Sequence, residues 1–310
     1  MIGVYFSEEF LKHDTGFNHP EKPERLQAII DVIQNSPRFS DFVFPDFLPA
    51  LKEDLLLVHT SEYVEIVESA VRDGYQQLPT GDTVISKHSW AVALLAVGAL
   101  KNACEKIMVQ EISSAFCLVR PPGHHASANR GMGFCIFNNI AICARYLLKK
   151  FLLKKILIVD FDVHHGNGTQ DIFYEDSSVF YFSVHGKNMY PGTGLPTEIG
   201  CNDGKGYTLN VELKSGSSDA HVLSALQNNL LPAMKMFQPE FILVSAGFDG
   251  HKEDPLGNLS YSAEGYGQLA HELALLAKQY AKGRLLFTLE GGYHLDALAT
   301  SVEKILEKIL

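Results

Sequence analysis

The chain has 310 residues, 46% of which are hydrophobic, and its 36 Asp and Glu residues exceed its 26 Lys and Arg residues to give a formal net charge of −10. This length supports one large hydrophobic core, and no linker or low-complexity run divides it, so we predict a single domain spanning residues 1–310. The excess of acidic residues argues against direct binding to nucleic acid.

The cysteines and the first residues bear on the cellular compartment. The five cysteines are scattered and form no Cys-x-x-Cys pair, which is typical of reduced thiols and predicts a cytoplasmic protein. The N-terminal residues lack the basic region and apolar run of a signal peptide. No stretch reaches the ~20 apolar residues of a membrane span, so we expect no association with a membrane.

Apolar strands are predicted to alternate with helices along the chain. The predicted strands cover residues 2–6, 114–119, 156–163, 179–185, 207–213, 241–245 and 285–289. The predicted helices cover residues 20–35, 62–73 with Ser61 as N-cap, 88–106, 140–150, 168–174, 219–237 after Ser218, 263–282 after Ser262, and a last stretch to the C-terminus. This alternation predicts an α/β fold with a mostly parallel sheet that is covered on both faces, and ligands bind such sheets beyond the carboxyl ends of the strands.

One strand end carries an unusual set of polar residues. Residues 156–168 read ILIVDFDVHHGNG, a buried strand that becomes polar just before a glycine. If the strand stays extended to residue 163, the side chains of Asp160, Asp162 and His164 point to one side. Burying two carboxylates and an imidazole together costs several kcal/mol unless a cation is present. The pattern therefore predicts a divalent metal site.

Further polar residues follow other predicted strands. Asp249 follows the strand 241–245, and together with Asp162 and His164 it gives one nitrogen and two carboxylate ligands. Such a set leaves coordination positions open, which suits a catalytic zinc carrying water, although iron, cobalt or manganese would also be accepted. His124 and His125 follow the strand 114–119 on a loop that its prolines make rigid.

These residues together suggest the hydrolysis of an amide. His124 or His125 would be the base, with Asp160 or Asn167 fixing an imidazole's orientation, and Tyr293 would donate a hydrogen bond to a developing oxyanion. Taken singly, each residue has a structural interpretation. A His-His pair is often incidental, a lone Asp after a strand is usually a turn residue, and Arg25 is equally consistent with a solvated charge. Their joint occurrence at strand ends favours a catalytic site.

Several motifs in the right order give the chain a family resemblance. It resembles the zinc-dependent histone deacetylase superfamily, which includes the acetylpolyamine amidohydrolases and has an arginase-like, three-layer α/β/α fold. The matching motifs are HPEKPERL (19–26), VHT (58–60), RPPGHH (120–125), GFCIFNN (133–139), DFDVHHGNG (160–168), GFD (247–249), DPLG (254–257) and EGGY (290–293).

The resemblance implies a role for each matched position. It implies one zinc ion on Asp162, His164 and Asp249, with His125 as general base and then acid, His124 as its electrostatic partner paired with Asp160, and Tyr293 polarising the acyl carbonyl. The implied substrate contacts are Phe134 and Tyr190 flanking a narrow tunnel, the carbonyl of Gly133 accepting the scissile N–H, and Arg25 beneath the pocket, associated with acetate escape.

The family also binds structural potassium ions. The resemblance implies a first potassium site formed by Asp160, Asp162, His164, Ser183 and Val184. A second and weaker match consists of Phe173, Asp176, Val179 and Tyr207.

Two positions depart from better-known members of the family. Asn167 stands where class I members carry Asp, which resembles class II members and weakens the carboxylate support for His125. Leu256 stands where the polyamine-specific eukaryotic member has a glutamate, which weakens a preference for a distal ammonium.

The resemblance implies a deacetylase, with the substrate left open. We expect acetyl-lysine in a peptide or protein, with an acetylpolyamine as the alternative and longer acyl groups also possible. An arginase-like ureohydrolase would need a second set of carboxylates to bridge two metal ions. An inactive acyl-binding module is disfavoured because no ligand or catalytic position is substituted. The oligomeric state is not predicted.

Overall fold

Eight strands form one sheet in the computed structural model, which describes residues 1–310. All neighbouring strands are parallel, in the order β2-β1-β3-β8-β7-β4-β5-β6. The strands are β1 (Ile2–Tyr5), β2 (Phe42–Val43), β3 (Ser114–Cys117), β4 (Ile156–Asp160), β5 (Val179–Gly186), β6 (Thr208–Leu213), β7 (Phe241–Ala246) and β8 (Leu285–Leu289).

Ten α-helices lie along the chain between and after these strands. They are α1 (Glu24–Asn35), α2 (Lys52–Leu55), α3 (Ser61–Arg72), α4 (Ser89–Met108), α5 (Asn139–Lys150), α6 (Asn167–Phe173), α7 (Asp219–Ala225), α8 (Leu231–Phe237), α9 (Ala263–Tyr280) and α10 (Leu295–Ile309). None of them combines the length and the apolar character that a bilayer-spanning helix requires.

Helices cover both faces of the sheet, which explains why the central strands are continuous apolar runs. Helices α4 and α5 pack together on one side, and α1, α9 and α10 pack together on the other. Every residue of β3, β4, β5, β7 and β8 is buried, mostly in one core of 72 residues. The predicted α/β fold is confirmed, with a sheet that is entirely parallel.

The strand order explains where a site forms. Strand β3 is followed in the chain by β4, yet β8 and β7 lie between them in the sheet. A crevice opens beyond the carboxyl ends at such a reversal of strand order. The loops that follow β3, β4, β7 and β8 meet there.

The predicted end of the central strand was wrong. Strand β4 ends at Asp160 rather than at residue 163. The Asp160 carboxylate accepts a hydrogen bond from the backbone N–H of Asp162 at 3.2 Å, and the Asp162 carboxylate accepts one from the backbone N–H of His164 at 2.9 Å. These local side-chain bonds turn the backbone away from the sheet.

Other predicted elements also differ in detail. Helix α1 begins at Glu24, and α3 is capped by Thr60, whose hydroxyl accepts the N–H of Tyr63, rather than by Ser61. The predicted helix 219–237 contains a π-helical turn, Leu226–Leu230, just before Pro232. Proline has no backbone N–H and cannot donate the hydrogen bond that a regular α-helix needs at this position. Ser262 caps α9 as predicted, through the N–H of Gly265 at 3.1 Å.

Candidate active site

The paired histidines lie on a loop that one buried carboxylate fixes. Glu290, directly after β8, accepts the backbone N–H groups of Gly123 at 2.7 Å and His124 at 3.1 Å. Its other carboxylate oxygen accepts the hydroxyl of Ser245 on β7 at 2.9 Å. Glu290 therefore joins the ends of three strands and holds the histidine loop against them.

His124 is paired with Asp160. Its Nδ1 lies 3.1 Å from Oδ2 of Asp160, and the hydroxyl of Tyr181 donates to the same oxygen at 3.1 Å. Burial opposes a charge on His124, but the carboxylates of Asp160 and Asp162 outweigh burial and raise the pKa of His124 to about 10. His124 therefore carries a positive charge at neutral pH.

His125 has the opposite electrostatic surroundings. Its ring centre lies 4.0 Å from that of His124, and its Nδ1 lies 2.8 Å from Oδ1 of Asn167. Burial and the positive charge of His124 lower the pKa of His125 well below its ordinary value. With the amide oxygen of Asn167 as acceptor, Nδ1 carries the hydrogen and Nε2 has the free lone pair that a general base requires.

Asp162, His164 and Asp249 form a compact group of potential metal ligands. Their ligand atoms all lie within 4.8 Å of one another. Nδ1 of His164 is 3.2 Å from Asp162 and 3.0 Å from Asp249. Both carboxylates are buried, and each also accepts a backbone N–H, from Gly291 and Val163 respectively.

The charges of this group suit a bound cation. Burial and the neighbouring charge of Asp162 raise the pKa of Asp249 to about 7. Burial opposes a charge on His164, yet the two carboxylates raise its pKa to about 11. Positive charge is thus strongly favoured between the carboxylates, and one nitrogen with two carboxylate oxygens is a donor set that fits zinc with open positions.

Two glycines leave room for the carboxylates of this group. A Cβ atom at Gly247 would lie 2.0 Å from Oδ2 of Asp162, and one at Gly291 would lie 2.2 Å from Oδ2 of Asp249. Any side chain at either position would displace a ligand. The GFD and EGGY motifs therefore supply space as well as functional groups.

Tyr293 lies on the turn that follows β8. Its backbone N–H donates to the carboxylate of Asp254 at 2.6 Å, which fixes the turn. Burial and the nearby charge of Asp249 raise the pKa of the Tyr293 phenol well above its ordinary value, so the hydroxyl keeps its proton and can donate it in a hydrogen bond.

Arg25 is buried beneath this turn, so its interpretation as a solvated charge was wrong. Its guanidinium donates to the carbonyls of Gly292 and Glu290, both at 2.6 Å, and lies 5.1 Å from the centre of the Tyr293 ring. It also donates to the carboxylate of Glu21 at 3.1 Å, and that carboxylate accepts two hydrogen bonds from Arg120. The three side chains support the turn from below.

A narrow cavity of about 210 Å³ leads to the metal-ligand group. Its lining includes His124, His125, His164, Tyr293 and the four predicted substrate contacts Gly133, Phe134, Tyr190 and Leu256. The ring of Phe134 lies 6.1 Å from that of Tyr293, and the ring of Tyr190 lies 5.1 Å from that of His125, both nearly perpendicular. Arg25 is not among the lining residues.

Gly133 approaches the histidines closely. It has a φ of +56°, and a Cβ atom there would lie 2.3 Å from Cδ2 of His125. Only glycine allows this backbone to pass so near the imidazole.

Sequence reasoning missed three residues of the site. Asp82 lines the cavity, accepts the backbone N–H of Gly133 at 2.7 Å, and lies 3.5 Å from the hydroxyl of Tyr190. Tyr181 and Glu290 hold Asp160 and the histidine loop as described above. No local pattern marks Asp82, since it belongs to a long loop. Glu290 is the first residue of the EGGY motif, and that motif could have identified it.

Two members of the first predicted potassium set are neighbours in the sheet. Asp160 on β4 is paired in register with Ser183 on β5, and Asp162, His164 and Val184 follow these two residues. The hydroxyl of Ser183 lies 2.9 Å from Nδ1 of His185.

The second predicted set lies near the start of β5. The carbonyl of Phe173 accepts the N–H of Asp176 at 3.0 Å, and the carbonyl of Tyr207 accepts the N–H of Tyr181 at 2.8 Å. Asp176 is paired with Arg145, and Val179 begins the strand.

Comparison with known families gives one match across nearly the whole chain. The model of the histone deacetylase domain matches residues 19–309. The chain belongs to the histone deacetylase family. Family members depend on zinc, and membership indicates a hydrolytic deacetylase, as the sequence predicted.

Similar proteins include deacetylases from an archaeon and a plant. A probable deacetylase of Archaeoglobus fulgidus is 39% identical over 298 residues, which cover 96% of this chain and 82% of the relative. The chloroplastic histone deacetylase 10 of rice is 39% identical, with 92% of this chain and 68% of the relative covered. The crystal structure of the HDA15 HD domain aligns with a TM-score of 0.92 at 36% identity, covering 99% of this chain and 90% of that one.

Proposed function

We propose that this deacetylase removes the acetyl group from acetyl-lysine in peptides or proteins, using one zinc ion held by Asp162, His164 and Asp249. The observation that carries the proposal is the convergence of this ligand group with a neutral His125 and the phenol of Tyr293 at the end of one narrow cavity. The metal ligands, His125 and Tyr293 follow four different strands, so only the folded sheet brings them together.

The zinc, the two histidines and Tyr293 each have a chemical role that their surroundings favour. When bound, the zinc would supply a Lewis acid that polarises the acyl carbonyl and lowers the pKa of the attacking water. Nε2 of His125 takes a proton from the water and returns it to the departing amine, and the charge on His124 stabilises the negative charge that develops. The phenol of Tyr293 donates to the acyl oxygen as that oxygen becomes an anion.

The cavity walls would orient the substrate. Phe134 and Tyr190 would flank the aliphatic chain of the lysine, and the carbonyl of Gly133 would accept the N–H of the scissile amide. Asn167 fixes the tautomer of the neutral His125, and Asp160 orients the charged imidazole of His124. Arg25 would act mainly by supporting the turn of Tyr293, since two of its hydrogen bonds go to backbone carbonyls of that turn and the third goes to Glu21.

The alternative substrate is an acetylpolyamine such as acetylputrescine or acetylspermidine. The net charge of −10 and the carboxylate of Asp82 in the cavity lining favour a cationic substrate, which is the observation that supports this alternative. The apolar Leu256 in the same lining disfavours a distal ammonium. We rank acetyl-lysine first, and longer acyl groups remain candidates.

Three further assignments belong to the proposal. Structural potassium would bind at Asp160, Asp162, His164, Ser183 and Val184, with a second site at Phe173, Asp176, Val179 and Tyr207. Residues 1–310 would form one catalytic domain. The protein would act in the cytoplasm, without direct contact with nucleic acid or membrane.

Acetate release from a panel of acetylated peptides and acetylpolyamines, with and without a zinc chelator, tests this function. We expect release from acetyl-lysine peptides, its loss with chelator, and its recovery when zinc is restored. Release from acetylpolyamines alone would favour the alternative substrate. No release from any acetylated amine by the zinc-loaded protein would overturn the proposed function.

A further inference from the structure

Two charged side chains hold the peptide unit before Tyr293 from opposite sides. The carbonyl of this unit, which belongs to Gly292, accepts the guanidinium N–H of Arg25 at 2.6 Å. Its N–H, which belongs to Tyr293, donates to Oδ2 of Asp254 at 2.6 Å, and the same oxygen accepts the N–H of His294 at 3.2 Å. Because a peptide unit is planar, fixing its two ends sets the direction in which the Tyr293 side chain leaves the backbone.

The turn depends on such contacts because its own sequence does not stiffen it. Tyr293 follows Gly291 and Gly292, and φ at Gly292 is +116°. Glycine permits many backbone conformations, so the flanking hydrogen bonds must select one of them. A hydrogen bond to an ionised group is about twice as strong as one between neutral groups. Arg25 and Asp254 are therefore well suited to fix the turn.

Asp254 is itself held on the wall of the cavity. Its side chain is buried, and its Oδ1 accepts the N–H of Leu256, which lines the cavity, at 3.0 Å. A Cβ atom at Gly257 would lie 1.7 Å from the carbonyl oxygen of Asp249, so this segment packs directly on the backbone of a predicted metal ligand. One carboxylate thus joins the cavity wall at Leu256 to the turn of Tyr293.

We propose that Asp254 is a positioning residue for deacetylation, whose carboxylate places the Tyr293 phenol against the acyl oxygen and at a fixed distance from the Leu256 wall. The inference rests on the proposed role of Tyr293 and adds a residue that does not line the cavity. Displacing a catalytic group by about 1 Å can lower a rate about 10²-fold. Asp254 therefore governs kcat through Tyr293, without touching the substrate.

A purely structural role for Asp254 would be to begin helix α10, and kinetics distinguish the two roles. The helix has another cap, because the side chain of His294 accepts the N–H of Ala297 at 3.3 Å. Damage to the helix would lower kcat by the same factor whether or not the phenol is present. Misplacement of the phenol has no effect once the phenol has been removed, so the two substitutions would not be additive.

A double-mutant cycle with Tyr293→Phe tests this inference. Asp254→Asn keeps the size of the side chain but only one acceptor oxygen, and we expect it to lower kcat about 10- to 100-fold on the acetylated amine that the wild type turns over fastest. In the Tyr293→Phe background the same substitution should lower kcat by less than about twofold. Asp254→Ser, which keeps a shorter acceptor, is the second variant and should behave in the same way.

Asp219→Asn is the matched control. The carboxylate of Asp219 also joins a loop to the start of a helix, since it accepts the N–H and the hydroxyl of Ser262 at 2.8 and 2.7 Å, but neither residue lines the cavity. We expect kcat of this variant to stay within about twofold of the wild type. The charge of Asp254 also acts on Asp249, so zinc affinity is measured by competition with a chelator, and in the Asp254 variants it should fall by less than about tenfold.

Each other outcome counts against the inference. Equal losses of kcat with and without the phenol, a wild-type kcat in both Asp254 variants, or a loss that saturating zinc restores would overturn the role of Asp254, while the acetate released would still support a deacetylase. Failure of both Asp254 variants to fold would show a purely structural role. A wild-type kcat in Tyr293→Phe would remove the role of Tyr293 and the inference with it. No acetate from the wild type would overturn the proposed function as well.

Discussion

The hydroxyl of Tyr181 and Nδ1 of His124 share one oxygen atom, Oδ2 of Asp160, each at 3.1 Å. Tyr181 is buried and comes from β5, the strand next to β4, which ends at Asp160. The phenol therefore fixes the carboxylate that orients His124, although Tyr181 does not line the cavity.

Removing this hydroxyl should slow catalysis without unfolding the protein. We expect Tyr181→Phe to lower kcat/KM about tenfold, because a hydrogen bond to a charged group contributes about 1.5–3 kcal/mol and Asp160 would become less well positioned. Steady-state deacetylation of one acetyl-lysine peptide measures the effect. Tyr261→Phe is the matched control, since the buried hydroxyl of Tyr261 has no hydrogen-bond partner to lose. Equal losses in both variants would contradict a specific role for Tyr181.

His125 and Tyr293 should be needed for chemistry but not for metal binding. We expect His125→Ala to lower kcat by about 10²–10⁴-fold, as loss of a general base does, and Tyr293→Phe by about 10²–10³-fold, as loss of an oxyanion donor does. Both variants should retain one zinc per chain by elemental analysis. Turnover close to that of the wild type in the two variants would remove these roles.

The glycine beside the carboxylates gives a test of the metal site that does not depend on turnover. A Cβ atom at position 291 would lie 2.2 Å from Oδ2 of Asp249 and 2.6 Å from Oδ2 of Asp162, so Gly291→Ala should displace both ligands. We expect at least a tenfold loss of zinc affinity in competition with a chelator. Gly267→Ala on α9 is the control, because its nearest neighbours lie at 3.3 Å and alanine favours the helix. Unchanged affinity in Gly291→Ala would argue that zinc binds elsewhere.

Buried neutral histidines should make the protein less stable in mild acid. Burial lowers the pKa of His59 from 6.5 to about 4. The unfolded chain then binds a proton at a higher pH than the folded chain does, so stability is full above pH 6.5 and is lost as the pH falls towards 4. A shift of this size corresponds to about 3 kcal/mol.

Urea unfolding at several pH values measures this linkage. We expect His59→Gln, which keeps an acceptor for the N–H of Asn138, to reduce the slope of unfolding free energy against pH by as much as ~1.4 kcal/mol per pH unit over this window. A slope in the variant as steep as that of the wild type would show that other groups cause the acid sensitivity.

The meeting of the site residues was predictable, because a parallel sheet gathers the carboxyl ends of its strands at one edge. Strand β8 has the predicted bounds, and the side chains after β3, β4, β7 and β8 lie together at that edge. The end of β4 was not predictable from hydrophobicity alone, since residues 161 and 163 are apolar and the strand ends through hydrogen bonds of the Asp160 and Asp162 side chains.

Residues on long connections could not be placed from the sequence. Asp82 reaches the cavity through the loop before α4, and β2 has only two residues, too few to show an alternating pattern. Local sequence left Arg25 equally consistent with a solvated charge, because two of its three partners are backbone carbonyls more than 260 positions away in the chain. Contacts of this kind depend on how the helices pack and leave no local periodicity.

Because the sheet is all parallel, every strand begins on the side of the molecule opposite the cavity entrance. Strand β1 starts at Ile2, on the side away from the cavity, and α10 runs back from the carboxyl edge after β8 and ends at Ile309. A solid support or a fluorophore attached near Ile2 or Ile309 would therefore leave the entrance to the cavity facing the solution, so the immobilised protein should keep its deacetylase activity.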